Sequence, residues 1–134
     1  MCMKVKEVQV IQTELTGWVI REKINGTLRP YFNYSYNCVG KKGDTITDPL
    51  WNLEQENSQE LIGKEIGEGC LHVFKSLDDA RAVIARYNDG DNVIVKVAIQ
   101  PGRLLVGETF KFDRTLDPLD CYGCKSYKLV SKGE

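Results

Sequence analysis

The stretch Gly69–Ile99, GCLHVFKSLDDARAVIARYNDGDNVIVKVAI, decides how the chain is read. It opens with Leu71-His72-Val73-Phe74, a short β-like run. In a strand Leu71 and Val73 share one face, while Cys70, His72 and Phe74 share the other. Ser76 follows, and its hydroxyl can accept from the free N–H groups at a helix start. Asp79 stands at the capping-box position, and Asp78 and Asp79 both favour the positive end of the helix dipole. Leu77, Ala80, Val83, Ile84 and Tyr87 then recur at helical period and make one apolar stripe. Asn88-Asp89-Gly90 stops the helix. In the run NVIVKVAI, Val93, Val95, Val97 and Ile99 fall on one face of a strand. Ile94, Lys96 and Ala98 fall on the other, which is therefore partly buried. An apolar helix stripe between two strands needs a sheet face to cover it.

Upstream, Val8 and Val10 alternate with Glu7, Gln9 and Ile11 in a short strand pattern. The run WVIREKI from Trp18 leads into Asn25-Gly26 and then TLRPYFNYSY. Asn-Gly between two β-rich arms predicts a hairpin, because both central turn residues need positive φ. Pro30 has no ladder donor and pushes the second arm toward a sheet edge. Downstream, Gln100-Pro101-Gly102 makes a turn, RLLVGETFKF supplies one or two strands, and CKSYKLV ends the chain as another. The pattern predicts an α+β fold. It is a mostly antiparallel sheet of about six or seven short strands, with one principal helix at about 77–88 packed on it, in a single domain over 1–134.

Residues 37–69 break the pattern. Gly40, Gly43, Asp48-Pro49, Gly63, Gly67 and Gly69 punctuate them, and WNLEQENSQELIG offers at most a short helix starting near Trp51 and Leu53. The segment reads as a long loop or flap. Between 51 and 68 its acids Glu54, Glu56, Glu60, Glu65 and Glu68 face the single base Lys64, a surface suited to a basic partner.

A length of 134 residues fits one domain, and a formal net charge of −1 exerts no global pull toward nucleic acid or anionic membrane. No stretch approaches the length of a membrane span, and the N-terminus MCMKVKEVQVIQT lacks the apolar core of a signal peptide. The five cysteines then read as reduced thiols in a cytoplasmic protein.

Three groups of residues bear on chemistry. The single histidine, His72, reads either as a general base, an orienting donor or a metal ligand, or as a half-buried strand histidine donating to a backbone carbonyl. Cys121-Tyr122-Gly123-Cys124 is a C-x-x-C pair, which can grip zinc with Cys70 and His72, close a redox disulfide, or pack as plain thiols. Phe32, Tyr34 and Tyr36 line one strand face, flanked by Arg21, Lys23, Arg29, Lys41 and Lys42. That is either a sheet core or a stacking platform for single-stranded bases. No phosphate-loop motif occurs, and one imidazole leaves no serine triad to assemble beyond it.

The segment GCLHVFKSLDDARAVIARY, with VIVKVAIQPGRLLVGE after it, resembles a module of small uncharacterised bacterial and phage domains. Their pattern is G-x-H-x-F-x-[ST]-x-x-x-A, a hydrophobic strand, then a G-x-[LV]-[LV] turn; here Gly69 stands one residue further from His72. The same segment is more loosely similar to the strand-helix core of ADP-ribosyltransferases, with His72 near the place of a nicotinamide-stacking tyrosine. That likeness implies Glu108, or a neighbour after the next strand, as the catalytic acid alongside His72, with NAD as cofactor, or a degenerate relative that only binds. Taken without it, the sequence calls for no cofactor. The resulting expectation is a small intracellular binding or regulatory domain, of bacterial or phage origin by the first resemblance. It would engage a protein partner or a nucleotide-like ligand through His72, Phe74, Ser76, Tyr34 and Tyr36, with neither membrane nor nucleic acid as partner.

Overall fold

The computed structural model describes residues 3–30, 39–67, 70–86, 91–109, 118–131 and 133. Among them are ten strands and two short helices, which corrects the six or seven strands and one helix that patterning predicts. The strands are β1 (Met3–Ile11), β2 (Leu15–Ile24), β3 (Thr27–Pro30), β4 (Thr45–Thr47), β5 (Glu65–Ile66), β6 (Leu71–Phe74), β7 (Asn92–Ile99), β8 (Gly102–Thr109), β9 (Asp120–Cys124) and β10 (Ser126–Leu129). The helices are α1 (Ser58–Leu61) and α2 (Leu77–Arg86). The sheet curls into a half-barrel in the order β4-β10-β7-β2-β6-β9-β8-β1-β5, with β3 added to β2. Neighbouring strands run antiparallel throughout.

Two of the strands that patterning misses, β4 and β5, are very short, and their partners lie far away in sequence. β4 and β5 hold three and two residues, too few to show any alternation of their own. They exist because β10 pairs with β4 through Tyr127 and Ile46, and β1 pairs with β5 through Met3 and Ile66. β9 is missed as well, since the run CKSYKLV holds only β10 and the last residue of β9. β9 lies between β6 and β8, whereas β10 lies between β7 and β4, so the chain changes place in the sheet at Lys125.

β2 organises the rest. It pairs with β7 from Leu15 to Glu22, while its other edge meets β6 at Trp18 and β3 from Arg21 onward. A Cβ on Gly17 would overlap Val73 Cγ1 and stand 3.2 Å from the Phe74 carbonyl, so the absent side chain is what lets β6 approach. The hairpin after β2 forms as its Asn-Gly pair requires, with φ of 52° at Asn25 and 79° at Gly26.

One face of the sheet buries Val19, Leu28, Ile46, Leu71, Val73, Val95, Val97, Leu104 and Tyr127 in the main core. The other face carries two smaller clusters. Under α2, Ala80 and Val83 pack on Ile20, Phe74 and Ile94. The helix begins where Ser76 Oγ accepts from the N–H groups of Asp78 and Asp79, at 3.2 and 3.4 Å. The expected helix stop at 88–90, and Tyr87, lie outside the described residues. Further along, Met3, Val5, Leu105 and Cys121 are covered by Leu53 and Leu61, with Trp51 at the margin.

Leu53, Leu61 and Trp51 belong to the segment expected as a loop or flap at 37–69. Over 39–67 it is fastened at several points. Arg103 Nη1 donates to the carbonyls of Leu53 and Glu56 at 2.7 and 2.6 Å. The helical turn falls at Ser58–Leu61 rather than near Trp51, because Asn57 supplies the cap and accepts from the Gln59 N–H.

Candidate functional site

His72 sits in the middle of β6, opposite Gly123 of β9, and is only 9% exposed. Its Nε2 lies 3.1 Å from the Ile66 carbonyl oxygen. A carbonyl only accepts, so Nε2 carries the proton. Burial pulls the imidazole pKa down to about 4, against the opposing pull of that carbonyl bond. At neutral pH His72 is therefore an uncharged structural donor that ties β6 to the end of β5.

Glu108 does not join it. His72, Gly123 and Leu105 form one row across β6, β9 and β8, and Glu108 lies three residues further along β8. Three residues amount to roughly 10 Å along the strand, with two strand spacings to cross as well. The Glu108 carboxylate instead pairs with Lys6 Nζ at 3.0 Å. Phe74 is buried beneath α2, and the Ser76 hydroxyl is engaged in capping. Tyr34 and Tyr36, the remaining expected ligand contacts, lie outside the described residues together with Phe32.

The C-x-x-C thiols point apart. An offset of three in a strand reverses the face, so Cys121 packs with Cys70 and Met3 while Cys124 enters the main core. Cys70, Cys121 and Cys124 are free thiols. Burial pushes Cys70 and Cys121 up to about 12 and Cys124 well above its usual value. They are protonated packing residues at neutral pH. Among the described residues no group of three His, Cys, Asp or Glu side chains is placed to hold a metal. Nor is any helix among them long and apolar enough to cross a membrane.

A different place on the molecule is built like a binding site. The bridge between Leu28 and Gly40 brings the tip of the β2–β3 hairpin against the turn that follows Gly40. That turn closes with the Asp44 N–H on the Lys41 carbonyl at 2.9 Å, and Gly43 supplies the positive φ of 96°. Between hairpin and turn lies a cavity of about 350 Å³ lined by Lys23, Gly26, Leu28, Lys41 and Lys42. The three lysine side chains are exposed, and none forms an ion pair among the described residues. Asp44, the acid nearest Lys41 and Lys42 in sequence, turns its carboxylate to the Lys41 N–H at 3.0 Å. A net cationic, concave place of this size attracts a small anion-bearing ligand.

Arg21, grouped with these bases in the sequence, belongs elsewhere. It is 2% exposed, donates from Nη1 to the Leu28 carbonyl at 3.1 Å and from Nη2 to the Tyr127 hydroxyl, and lies over the Tyr127 ring. Its guanidinium holds the hairpin down from within. A second cavity of about 130 Å³, beside Glu54, Gln100 and Lys125, is lined by the Arg103 that already holds the 53–58 segment.

The sequence names Lys23, Lys41 and Lys42 only as neighbours of an aromatic run. What unites them is a single long-range bridge, and the nearest local signals are the Asn25-Gly26 turn and the glycine before Lys41-Lys42. Set against known protein families, curated proteins and solved structures, the chain matches none.

Proposed function

We propose that this chain is a binding domain rather than an enzyme, and that its ligand is a nucleotide-like polyanion held between the hairpin tip and the Lys41–Asp44 turn. The observation that carries this reading is the convergence of Lys23, Lys41 and Lys42 on one cavity, with no ion pair among the described residues. Each ammonium can donate three hydrogen bonds to phosphate oxygens, and Leu28 gives the cavity an apolar wall. The transferase alternative needs His72 and Glu108 to meet in an open pocket. The burial of the imidazole and the distance between their rows along the sheet favour binding over catalysis. A cytoplasmic setting agrees with thiols held reduced in the sheet.

Calorimetric titration with ATP, and in parallel with inorganic tripolyphosphate, tests the proposal. An exposed lysine–phosphate pair contributes on the order of 0.2–1 kcal/mol, so replacing all three lysines by glutamine weakens ATP binding by roughly 3- to 150-fold. Raising the salt weakens it as well. Preference for ATP over tripolyphosphate identifies a nucleotide site; equal affinity reduces the site to phosphate recognition and overturns the nucleotide part. Absence of binding at millimolar ATP, or binding unchanged in the triple variant, overturns the whole reading.

A further inference from the structure

β1 pairs with β8 along its whole length, from Met3 to Ile11. Its other edge is covered for only part of that length. Met3 and Lys4 pair with β5, and Val5 exchanges backbone bonds with Gly63 and Lys64, at 2.7 and 2.9 Å. From Glu7 onward, no described strand pairs with that edge. An open ladder of this kind is a template for another strand.

The pairing shifts by one residue between Val5 and Glu7. Such a bulge reverses the alternation that follows it. Val5 directs its N–H and C=O outward before the bulge; after it, Val8 and Val10 do so. Side chains follow the same reversal, since Val8 packs beside Met3 and Val5, whereas Ile11 packs on the opposite face. Charges guard the edge at Lys6 and Glu7, but Val8, Gln9, Val10 and Ile11 carry none. Val10 is 66% exposed, the most exposed of the large apolar side chains described.

We infer that the open edge of β1 pairs antiparallel with the same edge of a second copy of this chain, about a twofold axis at Gln9. A twofold interface must be self-complementary, and this stretch is. Val8-Gln9-Val10 reads the same in both directions. Antiparallel pairing about Gln9 sets Val8 opposite the second copy's Val10, with their outward N–H and C=O groups in hydrogen-bonding register. Glu7 then faces Ile11, and Lys6 faces Gln12, so no like charges meet. The two Gln9 residues form a non-hydrogen-bonded pair, with Cα atoms roughly 4.5 Å apart.

Sedimentation velocity over micromolar to millimolar protein tests the inference, with Val10→Lys as the disrupting variant. That change sets a lysine at the centre of each outward pairing while leaving an exposed position in the folded protomer. The wild type is expected to show a concentration-dependent dimer, and Val10→Lys to weaken it at least about tenfold with unchanged circular dichroism. Gln9→Cys supplies a second readout, because two thiols introduced at that Cα separation fall within disulfide range. Mild oxidation should link the two introduced thiols between copies, as peptide mapping reads, while Lys128→Cys on β10 should not crosslink. A wild type monomeric at millimolar concentration, a dimer untouched by Val10→Lys, or failure of Gln9→Cys to crosslink would each overturn it.

Discussion

Acidification should destabilise the fold through His72 by an amount that follows from its burial. The imidazole has an ordinary pKa of 6.5 in the unfolded chain and about 4 in the folded one, because burial disfavours its charged form. As pH falls through 6.5 the unfolded chain takes up a proton that the folded chain refuses. The unfolded state then binds more protons, and stability falls with falling pH. The loss begins near pH 6.5 and levels off below about 4. One pKa unit corresponds to about 1.4 kcal/mol, so roughly 2 kcal/mol should be lost between pH 7 and 5 and about 3 kcal/mol by pH 4. Carboxylates titrate over the lower part of this range too, so the comparison must cancel them. His72→Gln does that. Its amide can still donate to the Ile66 carbonyl but does not titrate, and every acid is shared between the two proteins. Urea unfolding at pH 7, 6, 5 and 4 should give wild-type and variant curves whose difference changes by about 3 kcal/mol in the variant's favour. Parallel curves would refute the burial of His72 as a neutral donor, and with it the exclusion of this residue from an accessible site.

Gly17→Ala should cost about 3 kcal/mol in urea unfolding, since the new methyl overlaps Val73 where β6 crosses β2; a loss under 0.5 kcal/mol would contradict that crossing. Arg103→Ala removes the donor to Leu53 and Glu56, and limited proteolysis should then cut the 53–58 segment faster, with a stability loss of about 2 kcal/mol. Cys70, Cys121 and Cys124 should react with a thiol reagent at pH 7.5 only after unfolding, because each is buried with a raised pKa. Rapid labelling of any of them in the native protein would show its burial to be mistaken.

What could be read in advance was whatever depends on neighbours in sequence. Ser76, the apolar stripe from Leu77 and the Asn25-Gly26 turn are local devices. The structure has α2 beginning after Ser76 and the hairpin turning at those two residues. The strand count differs from the pattern for the opposite reason. β4 and β5 have no pattern of their own and are made by Tyr127 and Met3, which lie more than 60 residues away. The Glu-rich segment after Trp51 looked detached because its anchors, Arg103 and the cluster around Met3 and Leu105, are distant in sequence. Spacing alone leaves Cys121 and Cys124 open as a ligand pair, a redox pair or plain thiols, whereas strand geometry sends them to opposite faces. His72 drew attention as the lone imidazole, whereas the three lysines, unremarkable singly, are gathered by the contact of Leu28 with Gly40.

Amide chemical-shift mapping of ¹⁵N-labelled protein during an ATP titration tests the cationic cleft most directly. Shifts should concentrate on Lys23–Leu28 and Gly40–Asp44 and require higher ATP in the triple lysine variant, leaving the amides around His72 and Glu108 unmoved. Shifts centred on His72 and Glu108 instead, or none at saturating ATP, would contradict the account.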